Sequence, residues 1–197
     1  YLSNLASKNN LNKTNEIMIL STTKPEDKGT NLIVGLITTH VPLKEVNKKI
    51  NQNLIINSVN QINNFYKFKL KKKPKIAILG LNPHCETSSK INEEELIIKP
   101  AIKTLRKNNI NISGPYPADT FFLKKNISYF DSVVGMYHDQ VLTPFKTIFG
   151  FNAANITLGM SFLRLSVDHG PNEKMIGKNK SNTESLEKIF NFIDSIR

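Results

Sequence analysis

The chain has 197 residues, 39% of them hydrophobic and 22% charged, with 27 Lys and Arg against 16 Asp and Glu for a formal net charge of +11. That length suits one globular domain with a proper core, or a large piece of a two-lobed one. No apolar run approaches the roughly 20 residues that a membrane-spanning helix needs, and a scaffold stapled by disulfides or by zinc-binding cysteines is excluded because Cys85 is the only cysteine.

A lone thiol suits a reducing compartment, and the opening YLSNLASKNN lacks the basic-then-apolar order of a secretory signal, so a cytoplasmic location without membrane contact is expected. The positive charge would suit an anionic partner, either nucleic acid or a phosphorylated metabolite. The lysines, however, are scattered among Asn and Ile, without an arginine cluster or an aromatic stacking stripe, so a basic nucleic-acid-binding module is the remote alternative. The densest run, Lys71, Lys72, Lys73 and Lys75 around Pro74, reads as a solvated loop.

In chain order, Glu16 to Leu20 and Leu32 to Thr38 are short β-branched runs separated by a turn-rich segment, which predicts neighbouring strands. Pro42 opens a helical stretch through Leu43, Val46 and Ile50, and a second spans about Leu54 to Phe65. Lys75 to Leu79 reads as a buried strand that delivers His84 on the loop beyond its carboxyl end. Asn92 with Glu93, Glu94 and Glu95 predicts a capped helix with first-turn acids, running to Asn108-Asn109. Ile110 to Ser113 restarts the sheet, and Gly114-Pro115-Tyr116-Pro117 is expected to turn sharply. Asp131 to Met136 is a further strand leading to His138. Two more runs, Ala154 to Leu158 and Phe162 to Ser166, precede Val167-Asp168-His169-Gly170. A closing helix from Thr183 to Ile196 is expected to present Leu186, Ile189, Phe190 and Ile193 on one face. Strands alternating with helices define an α/β class, with no internal domain boundary across residues 1–197.

Two of the four histidines, His84 and His138, each follow a strand-like run, where open α/β sheets gather their ligands. Imidazole is a common ligand for divalent metals, but two fall short of the three that a catalytic site usually supplies. His40 has the same placement with less support. Lys146, Asn155 and Arg164 could converge on a substrate carrying phosphate and carboxylate, or Arg164 could simply pair with Asp168. Asp119 could serve as a general base or as a helix N-cap. Cys85 is taken as an inert thiol, and Glu86 with Glu93 to Glu95 as loop and first-turn acids.

Five segments share a resemblance: GLNPHCE (Gly80 to Glu86), SGPYPADTFF (Ser113 to Phe122), VGMYHDQVLTPFK (Val134 to Lys146), NITLGMSFLR (Asn155 to Arg164) and SVDHG (Ser166 to Gly170). In this order, and with the TTHVPL segment, they resemble the 4-hydroxythreonine-4-phosphate dehydrogenase (PdxA) family of vitamin B6 biosynthesis. The resemblance implies a two-lobed α/β/α architecture like that of the isocitrate and isopropylmalate dehydrogenases, of which this chain would be the C-terminal part. It also implies a homodimer with the active site at the subunit interface, NAD or NADP as oxidant, and a divalent ion such as zinc, magnesium or cobalt. By the same resemblance, His84 and His138 would be two of three metal-binding histidines, the third lying in a Gly-His-Thr-Glu segment upstream of Tyr1. Lys146, Asn155 and Arg164 would contact the substrate, Asp119 and Lys146 would handle protons, and Asp168, His169 and Gly170 would belong to a cofactor loop. The implied reaction is oxidation and decarboxylation of 4-phosphooxy-L-threonine. The alternative is a paralogue acting on another phosphorylated hydroxy acid, such as a threonate or erythronate phosphate. Two departures stand out: His84-Cys85-Glu86 in place of the family's His-Ala-Gly-Glu, and Gly159-Met160-Ser161 in place of Gly-Leu-Pro.

Overall fold

A computed structural model describes residues 16–22, 31–87, 92–168, 170, 173–180 and 183–196. Its strands are β1 (Ile17–Thr22), β2 (Ile33–Leu36), β3 (Ile76–Leu79), β4 (Ile112–Tyr116), β5 (Ser132–Gly135), β6 (Ala153–Leu158) and β7 (Arg164–Val167). They form one sheet in the order β4-β3-β5-β2-β1-β6-β7. The first four in that order run parallel, whereas β1 and β6, and β6 and β7, pair antiparallel.

The helices are α1 (Val46–Lys49), α2 (Gln52–Phe68), α3 (Lys99–Lys107), α4 (Ala118–Phe121), α5 (Lys124–Ile127), α6 (His138–Phe149) and α7 (Glu184–Ser195). Ile55, Val59, Ile62 and Tyr66 recur at helical spacing along α2, which starts where the Asn51 side chain accepts the Leu54 N–H at 2.9 Å. These residues join Ile98, Ile102 and Leu105 around α3, and Ile189 and Phe192 of α7, in a core on one face of the sheet. Phe121, Phe122, Ile127, Val141, Leu142 and Phe145, from α4, α5 and α6, form the core on the other face. Alternation sorts the strands between them: Ile76 and Ile78 face the first core, Ala77 and Leu79 the second. β2, β3 and β5 are buried throughout, as strands covered on both sides must be. The three-layer α/β arrangement agrees with the class read from the sequence.

Four local expectations are corrected. The Gly114-Pro115-Tyr116 segment does not turn. It continues β4, with a cis Gly114–Pro115 peptide, because Tyr116 still pairs with Leu79 and its carbonyl accepts the Gly80 N–H at 3.0 Å. The helix after Asn92 begins with one wide π-helical turn, Glu94–Ile98, before α3. On α7, Ile189 and Phe192 are buried, while Leu186 and Phe190 are exposed at 47% and 58%. The helix turns its Ile189 edge toward β6 and β7 and leaves Phe190 in solvent. The lysine run is also more than a solvated loop: Lys72 pairs at 2.9 Å with the buried Asp131, whose other oxygen accepts the Lys75 N–H at 2.7 Å.

Candidate active site

Because β4, β3, β5 and β2 are parallel neighbours, their carboxyl ends share one edge of the sheet, and each passes into a segment carrying a polar group. In spatial order these are Asp119, three residues past β4, His84 past β3, His138 at the start of α6 past β5, and His40 past β2. Two neighbouring pairs are in contact. Asp119 Oδ2 lies 3.8 Å from His84 Nδ1, and the rings of His40 and His138 stand 5.7 Å apart between centroids. His138 Nδ1 is 2.7 Å from Asp139 Oδ1, so a proton held there leaves Nε2 with a free lone pair, the outer partner typical of a ligating imidazole. His40 and His84 both adopt left-handed backbone angles, with φ of 49° and 57°, a conformation that non-glycine residues seldom hold outside tight turns and functional sites.

Asp119 is not a helix cap. It lies within the first turn of α4, whose N-cap is Pro117. Burial pushes the Cys85 thiol above its ordinary value, the wrong direction for a thiolate nucleophile.

The candidate substrate-binding groups share one face of the antiparallel half. Ala154 and Ile156 point into the first core, so Asn155 and Thr157 point to the α6 side. Arg164 lies directly opposite Thr157 and donates from Nη1 to its hydroxyl at 3.1 Å, leaving further N–H groups of the fork for another acceptor. The Oδ1 of Asn155 is buried and accepts no hydrogen bond among the described residues. From α6, the half-exposed Lys146 reaches Asp168. Its Nζ lies 2.8 Å from the Asp168 carbonyl and 3.2 Å from Oδ1, and it also sits over the Phe151 ring at 5.3 Å. The partner shown for the Asp168 carboxylate is thus Lys146, and the partner shown for Arg164 is the Thr157 hydroxyl.

Of the expected cofactor loop, Asp168 is buried and anchored to α7, its N–H donating to the Ser185 hydroxyl at 3.2 Å. Gly170 is exposed, and a Cβ there would meet nothing within 4 Å, which leaves room for a ligand to approach. His169 lies outside the described residues.

Among the described residues, no group of three or more His, Cys, Asp or Glu side chains is gathered closely enough to hold a metal ion. The donor set nonetheless fits a divalent cation by its chemistry. Three imidazoles stand on adjacent strand ends, and carboxylates face Nδ1 of two of them.

Glu94 is the residue that sequence reasoning undervalued most. Read as a first-turn acid, it is fully buried, and its carboxylate accepts the N–H groups of Leu81 and Asn82 at 2.7 and 2.8 Å and the Asn82 side chain at 2.8 Å. Burial by itself would push this carboxyl up. The hydrogen bonds from Asn82 and Leu81 overcome that and hold it below the ordinary glutamate value. Its spacing was the available signal, because position 94 precedes the buried Ile98, Ala101 and Leu105 on one helical face.

The family described as "Pyridoxal phosphate biosynthetic protein PdxA" matches residues 4–193. The chain belongs to this family. Among curated relatives, the 4-hydroxythreonine-4-phosphate dehydrogenase of Sulfurihydrogenibium sp. (strain YO3AOP1) is 49% identical over 156 residues, covering 78% of this chain and 48% of that protein. The one from Bradyrhizobium diazoefficiens is 42% identical over 157 residues, or 79% and 46%. The crystal structure of 4-hydroxythreonine-4-phosphate dehydrogenase from Klebsiella pneumoniae superposes with a TM-score of 0.80 at 31% identity, covering 99% of this chain and 58% of that one. The PdxA chain thus has the isocitrate dehydrogenase-like α/β fold, and it spans about half the length of the curated relatives it matches.

Proposed function

We propose that this PdxA chain supplies the metal-binding strand edge and much of the substrate-binding face of a 4-hydroxythreonine-4-phosphate dehydrogenase. The complete enzyme would oxidise the C3 hydroxyl of 4-phosphooxy-L-threonine and release CO2 from the resulting β-keto acid, giving 3-amino-2-oxopropyl phosphate for pyridoxal phosphate biosynthesis. The observation that carries this reading is the row of Asp119, His84, His138 and His40 on neighbouring parallel strand ends, in a chain whose curated relatives bear that name. His40, rather than only a histidine upstream of Tyr1, becomes a candidate third imidazole beside His84 and His138. A homodimer in the cytoplasm is the expected setting.

When bound, a divalent cation on these imidazoles would acidify the substrate hydroxyl and polarise the ketone, and NAD would take up the hydride. The chain's own groups handle the rest. Oxidation releases one proton from the hydroxyl, and decarboxylation needs one at C2. Asp119, at the His84 end of the row, and Lys146, on α6, would exchange them. Asp168 fixes the Lys146 ammonium by two contacts, so that Nζ keeps one position while the substrate changes charge. Arg164 presents a fork for phosphate or carboxylate, and Asn155, on the same face of the sheet, is the proposed partner of the substrate ammonium or a hydroxyl. Asp168, His169 and Gly170 remain the proposed cofactor loop.

The test is NADH formation by the complete enzyme with 4-phosphooxy-L-threonine against the phosphates of threonate and erythronate. Turnover of the amino substrate at least tenfold better supports the reading. Preference for a substrate without the amino group would assign the paralogous activity instead.

A further inference from the structure

The strand-end segments are laced together below the histidines by buried polar groups that the proposed reaction does not use. Gln140 lies on the first turn of α6, two residues past His138. Its Oε1 accepts the Met136 N–H at 2.7 Å, and its Nε2 donates to the Gly80 carbonyl at 2.7 Å. It therefore joins the root of the His138 segment to the root of the His84 segment. On one side, the Met136 carbonyl accepts both the N–H and the hydroxyl of Thr38, at 3.1 and 2.8 Å, two residues before His40. On the other side, Gly80 passes into Leu81 and Asn82, whose N–H groups end on the buried Glu94 carboxylate. A continuous path thus runs from Thr38 through Met136, Gln140 and Gly80 to Glu94, crossing beneath His40, His138 and His84 in turn.

Two glycines make room for it. A Cβ at Gly80 would stand 2.6 Å from Cys85 Sγ and 3.1 Å from Glu94 Oε1, and one at Gly135 would stand 2.1 Å from Val141 Cγ2 and 3.0 Å from Gln140 Oε1. Both key side chains are matched to their partners by chemistry. Gln140 must accept on one side and donate on the other, which only an amide does at that length, and Glu94 faces donors only. Buried groups so fully paired fix a single arrangement of the loops they tie.

We propose that Gln140 and Glu94 are positioning residues that hold the three histidine segments in register for cation binding. This inference rests on the proposed role of His40, His84 and His138 as ligands. It assigns Gln140 the central place, because its side chain bridges the roots of the His84 and His138 segments.

Cobalt(II) titration of the purified protein, followed by the visible ligand-field band, tests it. Gln140→Glu keeps the acceptor for Met136 but sets a carboxylate against the Gly80 carbonyl, and Glu94→Gln sets an amide donor against N–H groups. Each is expected to weaken cobalt binding by about 10- to 100-fold, the range seen for outer partners of metal ligands, with an unchanged far-ultraviolet circular dichroism spectrum and a cooperative melt. His84→Ala and His138→Ala serve as controls. If these leave cobalt binding intact, the ligand reading fails. If they abolish it while Gln140→Glu and Glu94→Gln bind like the wild type, the positioning role alone is overturned. The wild-type protein gives a readout that no folding defect can blur: by linkage, cobalt should slow hydrogen exchange at the Met136, Leu81 and Asn82 amides, and unchanged exchange there contradicts the proposal.

Discussion

The two halves of the sheet present chemistry in different ways. In the parallel half, β4-β3-β5-β2, side chains far apart in sequence come to one edge, because every strand hands its chain to a loop at the same end. In the antiparallel half, β1-β6-β7, the polar groups stand on the strand faces, and Asn155, Thr157 and Arg164 come from two strands joined by a short connection. The first arrangement brings the proposed ligands to one edge of the sheet. The second lays out a surface on which an extended anion can lie. The proposed reaction, with a cation at one carbon and a phosphate at the next, would use both.

If the parallel edge is the metal-binding half, its histidines should dominate. His84→Ala or His138→Ala in the complete enzyme is expected to lower turnover at saturating substrate by about 100-fold or more, since even outer partners of ligands are worth 10–100-fold. His40→Ala separates the alternatives for the third ligand: a loss of the same size makes it a ligand, and near-normal turnover returns that role to another residue.

Stability should distinguish the two edges of α7, the helix that covers the antiparallel half. Ile189→Ala removes a buried side chain against β6 and β7 and should cost about 2 to 5 kcal/mol in urea unfolding. Phe190→Ala, one residue on, should stay within about 0.5 kcal/mol. Equal costs would contradict the orientation of α7. For the substrate face, Arg164→Ala removes a charge-assisted partner worth about 1.5–3 kcal/mol, so KM for the phosphorylated substrate should rise by roughly 10- to 100-fold with a smaller change in kcat. A fall in kcat alone would move Arg164 from binding into chemistry.

The smallest effect is confined to acid. The Glu94 carboxyl lies below its ordinary value in the folded chain, so its contribution is present above the unfolded glutamate range, near pH 4, and is lost as pH falls through the lower folded value. Glu94→Gln should therefore flatten the acid arm of a stability profile and leave its slope near neutrality unchanged. An identical acid arm would mean that the carboxylate is not held as described.

Much of this was legible in the sequence. Short continuous apolar runs followed by His84 and His138 showed buried strand ends, and the alternation of elements showed an α/β sheet. The pairing of β1 with β2 was legible, but the order of the other strands was not, since it is decided by helices that cover both faces and not by any local pattern. His40 therefore has less support in the sequence than its contact with His138 warrants, although, like the other two, it follows its strand within five residues. For Asp119 the local pattern leans toward a helix cap, because a Pro-rich turn before an acid suits one, and its place inside the first turn of α4 and 3.8 Å from His84 decides otherwise. Leu186 and Phe190 were placed on the buried face of α7 because an apolar side chain on a helix carries no mark of which neighbour covers it.

The central claim, that imidazoles from neighbouring parallel strand ends close on one cation, is tested most directly by X-ray absorption at the zinc edge of the loaded enzyme. Three imidazole nitrogens at about 2.0–2.1 Å, with one fewer in each of the His40→Ala, His84→Ala and His138→Ala proteins, is the predicted result. A shell without imidazole, or one that none of the three substitutions alters, would contradict it.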